Sequence, residues 1–199
     1  MNRGGVDASD AVRAGLCQRL NSDHRSYKVL MNVSGDVGEF AITPGDLRLA
    51  ARELAEKLPC GQPDYLVGFA PGGIPITVAL AYELEARALI AYKTRLSVPG
   101  ELTWSEPHAF NATFYFYDAV PGTSMVLVDD EVDSGNTVCN AVRALRSRDV
   151  NVIGVASAIE VVHDGHSAGR QQLQDLGLTL TSLRKLDVAD PANYLQAGS

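Results

Sequence analysis

Two adjacent carboxylates, Asp129 and Asp130, directly follow the apolar run Met125-Val126-Leu127-Val128. Shortly after them comes a small polar loop, Asp133-Ser134-Gly135-Asn136-Thr137. Paired carboxylates can grip sugar hydroxyls or a divalent cation, but they repel a phosphate. A small-residue loop that opens a helix does the opposite. Its backbone N–H groups are unpaired and stand at the positive end of the helix dipole, so it takes an anion. Gly135 lets the backbone approach closely, while Ser134 and Thr137 offer hydroxyls. A phosphorylated sugar spanning both halves fits this chemistry.

The elements around these residues must place them at one edge of a sheet. An unbroken aliphatic run suits a strand of a parallel sheet covered on both faces, and here it stops at the carboxylates. Val138, Val142 and Leu145 recur at helical spacing and predict a helix over 138–148. In an open α/β sheet, ligands lie beyond the carboxyl ends of the strands, where Asp129 and Asp130 would stand. A second strand–loop–helix unit precedes this one. Residues 65–69 read as a strand, Ala70-Pro71-Gly72-Gly73 as a tight loop whose glycines permit unusual backbone, and 74–85 as a helix. Residues 87–92 read as a third strand, whose carboxyl end brings Lys93 to the same crevice.

The joint pattern of apolar strand, acidic pair, two variable positions and a phosphate loop ending in Thr137 resembles the phosphoribosyl-pyrophosphate (PRPP) signature of the type I phosphoribosyltransferases. The resemblance covers roughly residues 65–186, and the order of elements after 153 is similar to the adenine and xanthine enzymes. It implies an α/β fold with a parallel sheet of about five strands, helices on both faces and a small hood. It further implies a Mg2+-dependent transferase that moves 5-phosphoribose from PRPP to a ring nitrogen of a heterocyclic base and releases pyrophosphate. Asp129 and Asp130 would hold the ribose and the metal, directly or through water. Asp133, Ser134, Gly135, Asn136 and Thr137 would hold the 5-phosphate. Ala70, Pro71, Gly72, Gly73 and Lys93 would meet the pyrophosphate. A homodimer is the family's usual assembly.

Two departures leave the base open. Xanthine enzymes commonly have Glu-Lys where this chain has Glu160-Val161, and that lysine helps read the base. Asp133 at the head of the phosphate loop matches the hypoxanthine–guanine branch, where adenine enzymes usually have Ala. The acceptor is thus a purine, a deazapurine or another heterocycle. A carboxylate beside a phosphate must point elsewhere, and Asp133 either faces the base as a proton acceptor or caps the following helix.

The rest of the chain is read as one domain, with its core at about 44–186 and a hood formed by the N-terminal segment and residues 96–120. Residues 1–10 read as a tail, 11–20 as a helix and 27–40 as a strand or two. Thr43-Pro44-Gly45-Asp46 starts a helix carrying Leu47, Ala50, Ala51, Leu54 and Leu58, ended by Pro59 and Gly61. The stretch 96–120 is long for a connection and predicts a lid containing Trp104, Glu106 and His108, followed by an aromatic strand at 114–117. A lid of this kind would keep an oxocarbenium-like sugar from water. Residues 150–158 predict a strand, 167–176 a helix closed by Gly177, and 178–183 a final strand. His163-Asp164-Gly165-His166 lacks a third ligand and is not assigned to a metal.

Composition narrows the classes. The chain has 199 residues, 46% of them hydrophobic and 21% charged, as in an ordinary globule, and its net charge is −7. Acidity argues against nucleic-acid or membrane partners. Cys17, Cys60 and Cys139 are few and far apart, which fits a reducing compartment, and the cytoplasm is the expected location. Two other functions share the signature: a PRPP- or nucleotide-sensing regulator without catalysis, and a PRPP-forming pyrophosphokinase. The first usually carries a nucleic-acid-binding element, and the second is usually a longer two-domain chain.

Overall fold

The computed structural model describes residues 44–59, 61–105, 113–187 and 196–197. The expected tail at 1–10, helix at 11–20 and strands at 27–40 lie outside the described residues, as do Cys17, Cys60, Glu106 and His108. Helix α1 (Pro44–Lys57) starts on a proline, whose missing N–H is one that no helical carbonyl would take. Its stripe of Ala50, Ala51 and Leu54 is fully buried. Then come β1 (Tyr65–Phe69), α2 (Gly73–Leu84), β2 (Arg87–Ala91), β3 (Leu102–Ser105), β4 (Thr113–Phe116) and β5 (Ser124–Val132). The chain continues through α3 (Asn136–Arg146), β6 (Asn151–Val162), α4 (Ala168–Asp175), β7 (Leu180–Asp187) and β8 (Gln196–Ala197).

The main sheet runs in the order β2-β1-β5-β6-β7-β8. The first five strands are parallel, and the two-residue β8 adds an antiparallel edge to the expected five. The chain leaves β1 for β2 on one side and later returns to place β5 on β1's other side. The helices divide accordingly. One core joins α1 and α2 to one face through Leu54, Ile76, Leu80 and Val126. The other joins α3 and α4 to the opposite face through Leu127, Val142, Leu145 and Leu173. The connection reverses between β1 and β5, which makes that gap the switch point of the sheet.

Three expected boundaries are corrected. β5 does not stop at the carboxylates but runs on to Val132, because Asp129, Glu131 and Val132 still pair with Ser157, Ile159 and Glu160 of β6. β6 extends past 158 to Val162, and β7 reaches Asp187, because these two strands pair with each other out to Val162↔Asp187. The excursion after β2 is a two-stranded antiparallel sheet, β3 with β4, joined to the end of β2 by reciprocal backbone bonds between Tyr92 and Tyr115. Trp104, expected in a lid, is a core residue. It is 6% exposed, stacks on Phe114 at 5.9 Å and meets Phe69 edge-on.

Candidate active site

At the switch point two strands that have run side by side part company. β1 pairs with β5 as far as Gly68↔Val128, then turns away into Ala70–Gly73, while β5 continues against β6 alone. The acidic pair therefore sits where its strand loses one neighbour. The vacated side is taken by the loop after β1, whose Ala70–Pro71 peptide is cis and whose Ala70 N–H donates to Ala91 O of β2 at 2.9 Å. Contact between loop and carboxylates is tight. A Cβ on Gly72 would stand 2.1 Å from Asp130 Oδ2, and one on Gly73 would stand 3.1 Å from Asp129 Oδ1. Any side chain at Gly72 would occupy the carboxylate's place.

The carboxylates are electrostatically crowded. Asp129 Oδ1 accepts the Asp130 N–H at 3.0 Å. Burial, reinforced by the charge of Asp130, pushes the Asp129 carboxyl well above the usual carboxylate range. Such a site favours a proton or a cation.

The loop from Asp133 to Gly135 joins the end of β5 to α3. Gly135 caps α3 with φ +78°, a left-handed conformation, and offers no side-chain cap bond, while the Asn136 N–H of the first turn reaches Ser134 Oγ at 3.4 Å. Of the two alternatives for Asp133, the structure does not show the helix cap: its carboxylate Oδ1 instead receives His163 Nε2 at 2.9 Å. The loop is held from behind by α4. Gly169 N–H donates to Asp133 O at 2.9 Å, and Gln172 Nε2 donates to Ser134 O at 2.8 Å and Asn136 Oδ1 at 3.2 Å. The two backbones meet so closely that a Cβ on Gly135 would lie 2.7 Å from Gly169 Cα. The pair Gly135–Gly169 thus brings helix and loop together in a way no larger residue allows.

Helix α4 is itself anchored by a buried ion pair. Glu160 on β6 is fully buried and takes two bonds from the Arg170 guanidinium, while Ser182 Oγ of β7 donates to it at 2.9 Å. Arg170 Nη1 also donates to Leu180 O at 2.9 Å. Burial alone would raise the Glu160 carboxyl, but bonds from Arg170, Ser167 and Ser182 outweigh it and hold it below the usual range. Between β6 and α4, His163 to His166 form a two-residue hairpin with positive φ at Asp164 (50°) and Gly165 (78°), closed by reciprocal backbone bonds. A cavity of about 930 Å³ opens beside this hairpin at the carboxyl ends of β6 and β7, lined by Val162, His163, His166, Gln171 and Lys185 among others.

Of the residues singled out in the sequence, the structure brings Gly72 and Gly73 against Asp129 and Asp130, and it sets Ser134 to Thr137 at the start of α3. Lys93 stands just past the end of β2, with its ammonium 5.0 Å from the Phe114 ring centroid, drawn towards the β3–β4 hairpin. That hairpin is tied to the phosphate-loop helix, because Asn140 Nδ2 donates to Ser105 O at 2.7 Å. The sequence alone does not mark His163 or Gln172 as site residues. Each acts across some thirty or more positions of chain, and only the spacing of a phosphate loop and a later helix start hints at them.

A parallel sheet with its ligand loops at the switch point defines an α/β nucleotide- or sugar-phosphate-binding architecture, and comparison with known proteins narrows it. Residues 15–186 match the phosphoribosyl transferase family, and the chain belongs to that family. It is 30% identical over 153 residues to a hypoxanthine/guanine phosphoribosyltransferase of Methanobrevibacter ruminantium, covering 75% of this chain and 78% of the relative. It is 26% identical to an adenine phosphoribosyltransferase of Rhizobium johnstonii, covering 74% and 82%. Among solved structures, the adenine phosphoribosyltransferase of Thermoanaerobacter pseudethanolicus superposes with a TM-score of 0.61 at 22% identity, over 71% of this chain and 80% of that one. The Trypanosoma brucei enzyme, in complex with AMP, pyrophosphate and ribose-5-phosphate, superposes with a TM-score of 0.57 at 18% identity, over 74% and 68%. These superpositions bear out the α/β fold with its parallel sheet.

Proposed function

We propose that the chain transfers 5-phosphoribose from PRPP to a ring nitrogen of a purine or purine-like base and releases pyrophosphate. The observation that carries this reading is the packing of Gly72 and Gly73 against Asp130 and Asp129. It sets a backbone loop suited to pyrophosphate beside carboxylates suited to ribose hydroxyls, with the phosphate loop next along the same strand end. Ser134 to Thr137 bind the 5-phosphate through the backbone N–H groups and hydroxyls at the start of α3. Ala70 to Gly73 receive the leaving pyrophosphate, and Lys93 supplies positive charge from the neighbouring strand. The named substrates of the relatives support a purine acceptor.

The acidic pair fits Mg2+. Its donors are all carboxylate oxygens, and Mg2+ commonly takes one or two carboxylates together with substrate oxygens. Among the described residues no group of three or more His, Cys, Asp or Glu converges, so the substrate's own oxygens would complete the shell. When bound, the ion offsets negative charge on the departing pyrophosphate. The protein's own contribution is to align PRPP and base for in-line displacement and to exclude water. The proposal includes a cytoplasmic homodimer. Val78 and Tyr82 of α2, 54% and 81% exposed, are apolar groups available to a second copy, and no helix among the described residues is long and apolar enough to cross a membrane.

Incubation with Mg2+, PRPP and a panel of bases tests the reading through pyrophosphate release. Base-dependent release is expected. Tight PRPP binding with no release for any base would instead mark a PRPP-sensing regulator.

A further inference from the structure

Asp133 and His163 form a contact that the fold goes to some length to fix and that does little for its stability. Both side chains are substantially exposed, 45% for Asp133 and 52% for His163, and ion pairs at such positions add little to folding. Yet each end is held. Asp133 is anchored through its backbone carbonyl, which accepts from Gly169 N–H at 2.9 Å. His163 sits on a closed two-residue hairpin, with backbone bonds to His166 in both directions. A fixed, exposed, stabilisation-neutral pair beside an anion site calls for a use other than folding.

We propose that His163 is a positioning residue for Asp133, holding one carboxylate oxygen so that the other faces the ring nitrogen of the acceptor base. This rests on the phosphoribosyl-transfer reading of the site. A carboxylate only accepts hydrogen bonds, so His163 donates its Nε2–H to Oδ1. Oδ1 is thereby engaged, and Oδ2 is the oxygen left to act. The bound 5-phosphate would repel a freely rotating Asp133 carboxylate, and the bond from His163 fixes it in one orientation against that repulsion. In the step itself, the ring nitrogen forms a bond to C1′ and the C1′–O bond to pyrophosphate breaks, its electron pair leaving with the pyrophosphate. The proton on the ring nitrogen passes to Asp133 Oδ2, and from the resulting carboxylic acid to solvent. His163 also borders the cavity at the ends of β6 and β7.

A four-protein kinetic cycle tests this: wild type, His163→Ala, Asp133→Ala and the double variant, each assayed for pyrophosphate release with PRPP and its best base. His163→Gln is added because its amide N–H can still donate to Asp133. His163→Ala is expected to lower kcat by about ten- to a hundredfold, the scale of a misplaced reacting group, with KM for PRPP changed less than about threefold. His163→Gln should recover most of that loss, and His163→Ala should cost nothing further once Asp133 is Ala. An equal loss in both Asp133 backgrounds, or wild-type kcat in a folded His163→Ala protein, overturns the positioning role while leaving the transferase reading intact. A wild-type protein that releases no pyrophosphate with any base overturns the transferase reading, and the role of His163 with it.

Discussion

Gly72 and Asp130 pack so closely that a Cβ on the glycine would fall 2.1 Å from Oδ2 and 2.4 Å from the carboxylate carbon. The contact joins the loop after β1 to the outer part of β5, and its form separates function from folding. The atoms a new methyl would displace belong to a short side chain able to rotate, not to backbone. Gly72→Ala should therefore leave stability within about 1 kcal/mol, as repacking at a partly open site does, while turning Asp130 away from its ligand. PRPP turnover should fall by about tenfold or more, the equivalent of one charge-assisted hydrogen bond of ~1.5–3 kcal/mol. Urea titration and steady-state kinetics on the same protein check both halves. Unaltered turnover would show that Asp130 does not act in its present orientation.

Asp129 should carry an unusual pH signature in the protein free of ligand. Its carboxyl is pushed above the ordinary value of 3.8 by burial and by Asp130, so the folded chain keeps the proton over a range in which the unfolded chain has lost it. Stability from this group is thus full below 3.8 and is lost as pH rises through the higher folded value. Asp129→Asn removes that loss. The variant should be more stable than wild type at neutral pH, and the difference should shrink as pH falls towards 4. It should also bind PRPP and Mg2+ more weakly, by ~1–3 kcal/mol. Chemical denaturation across pH 4 to 8, with PRPP titration at pH 7, reads both. An Asn variant less stable than wild type at pH 7 would contradict the account.

The Glu160–Arg170 pair is a case of structure serving the site at one remove. Truncating Arg170 leaves a fully buried carboxylate without its cation, and such a loss costs about 3–5 kcal/mol. Arg170→Ala should lower stability by that order in urea. It should also weaken PRPP binding, because α4 carries Gly169 and Gln172 to the phosphate loop. Acid sharpens the test. The Glu160 carboxyl is held below its ordinary 4.5, so its contribution is full above 4.5 and lost as pH falls through the lower folded value. The gap between wild type and Arg170→Ala should accordingly narrow in acid.

How far the sequence reveals this molecule depends on the range of the forces involved. β1, with its run of five strand residues bounded by Pro63 and Pro71, is legible to the residue, and α4, expected at 167–176, to within one residue at each end. The phosphate loop is legible because backbone chemistry confines an anion loop to small residues next to a helix start. The ends of β5 and β6 are not. Asp129, Asp130 and Glu131 read as turn residues, and only pairing with a strand some thirty positions away keeps them extended. Trp104 beside Pro99 and Gly100 reads as a loop residue, yet Phe69 of β1 and Phe114, its partner on β4, converge on it. His163 reads as half of an incomplete metal motif, and its partner Asp133 becomes visible only when the sheet brings β5 and β6 together.

Asp133 itself decides between two accounts of the phosphate loop. As a helix cap it would bond N–H groups of α3, and its removal would cost ~1 kcal/mol of stability with little kinetic effect. The cap position is instead Gly135, without a side-chain bond, and the Asp133 carboxylate meets His163. Asp133→Ala should therefore leave stability nearly unchanged. PRPP affinity should stay within a few-fold, because in the proposed reading the 5-phosphate is held mainly by backbone N–H groups that the substitution does not touch. Turnover with the best base should drop by ~10²–10⁴-fold, the usual worth of general acid–base help. Asp133→Asn is the sharper variant. Its amide oxygen can still accept from His163, so the geometry survives, but it cannot take up a proton at neutral pH. If proton acceptance is the role, Asn is as damaging as Ala in single-turnover transfer. If the carboxylate only holds the base by a hydrogen bond, Asn retains most of the rate. Wild-type turnover in a folded Asp133→Ala protein would remove Asp133 from the chemistry altogether.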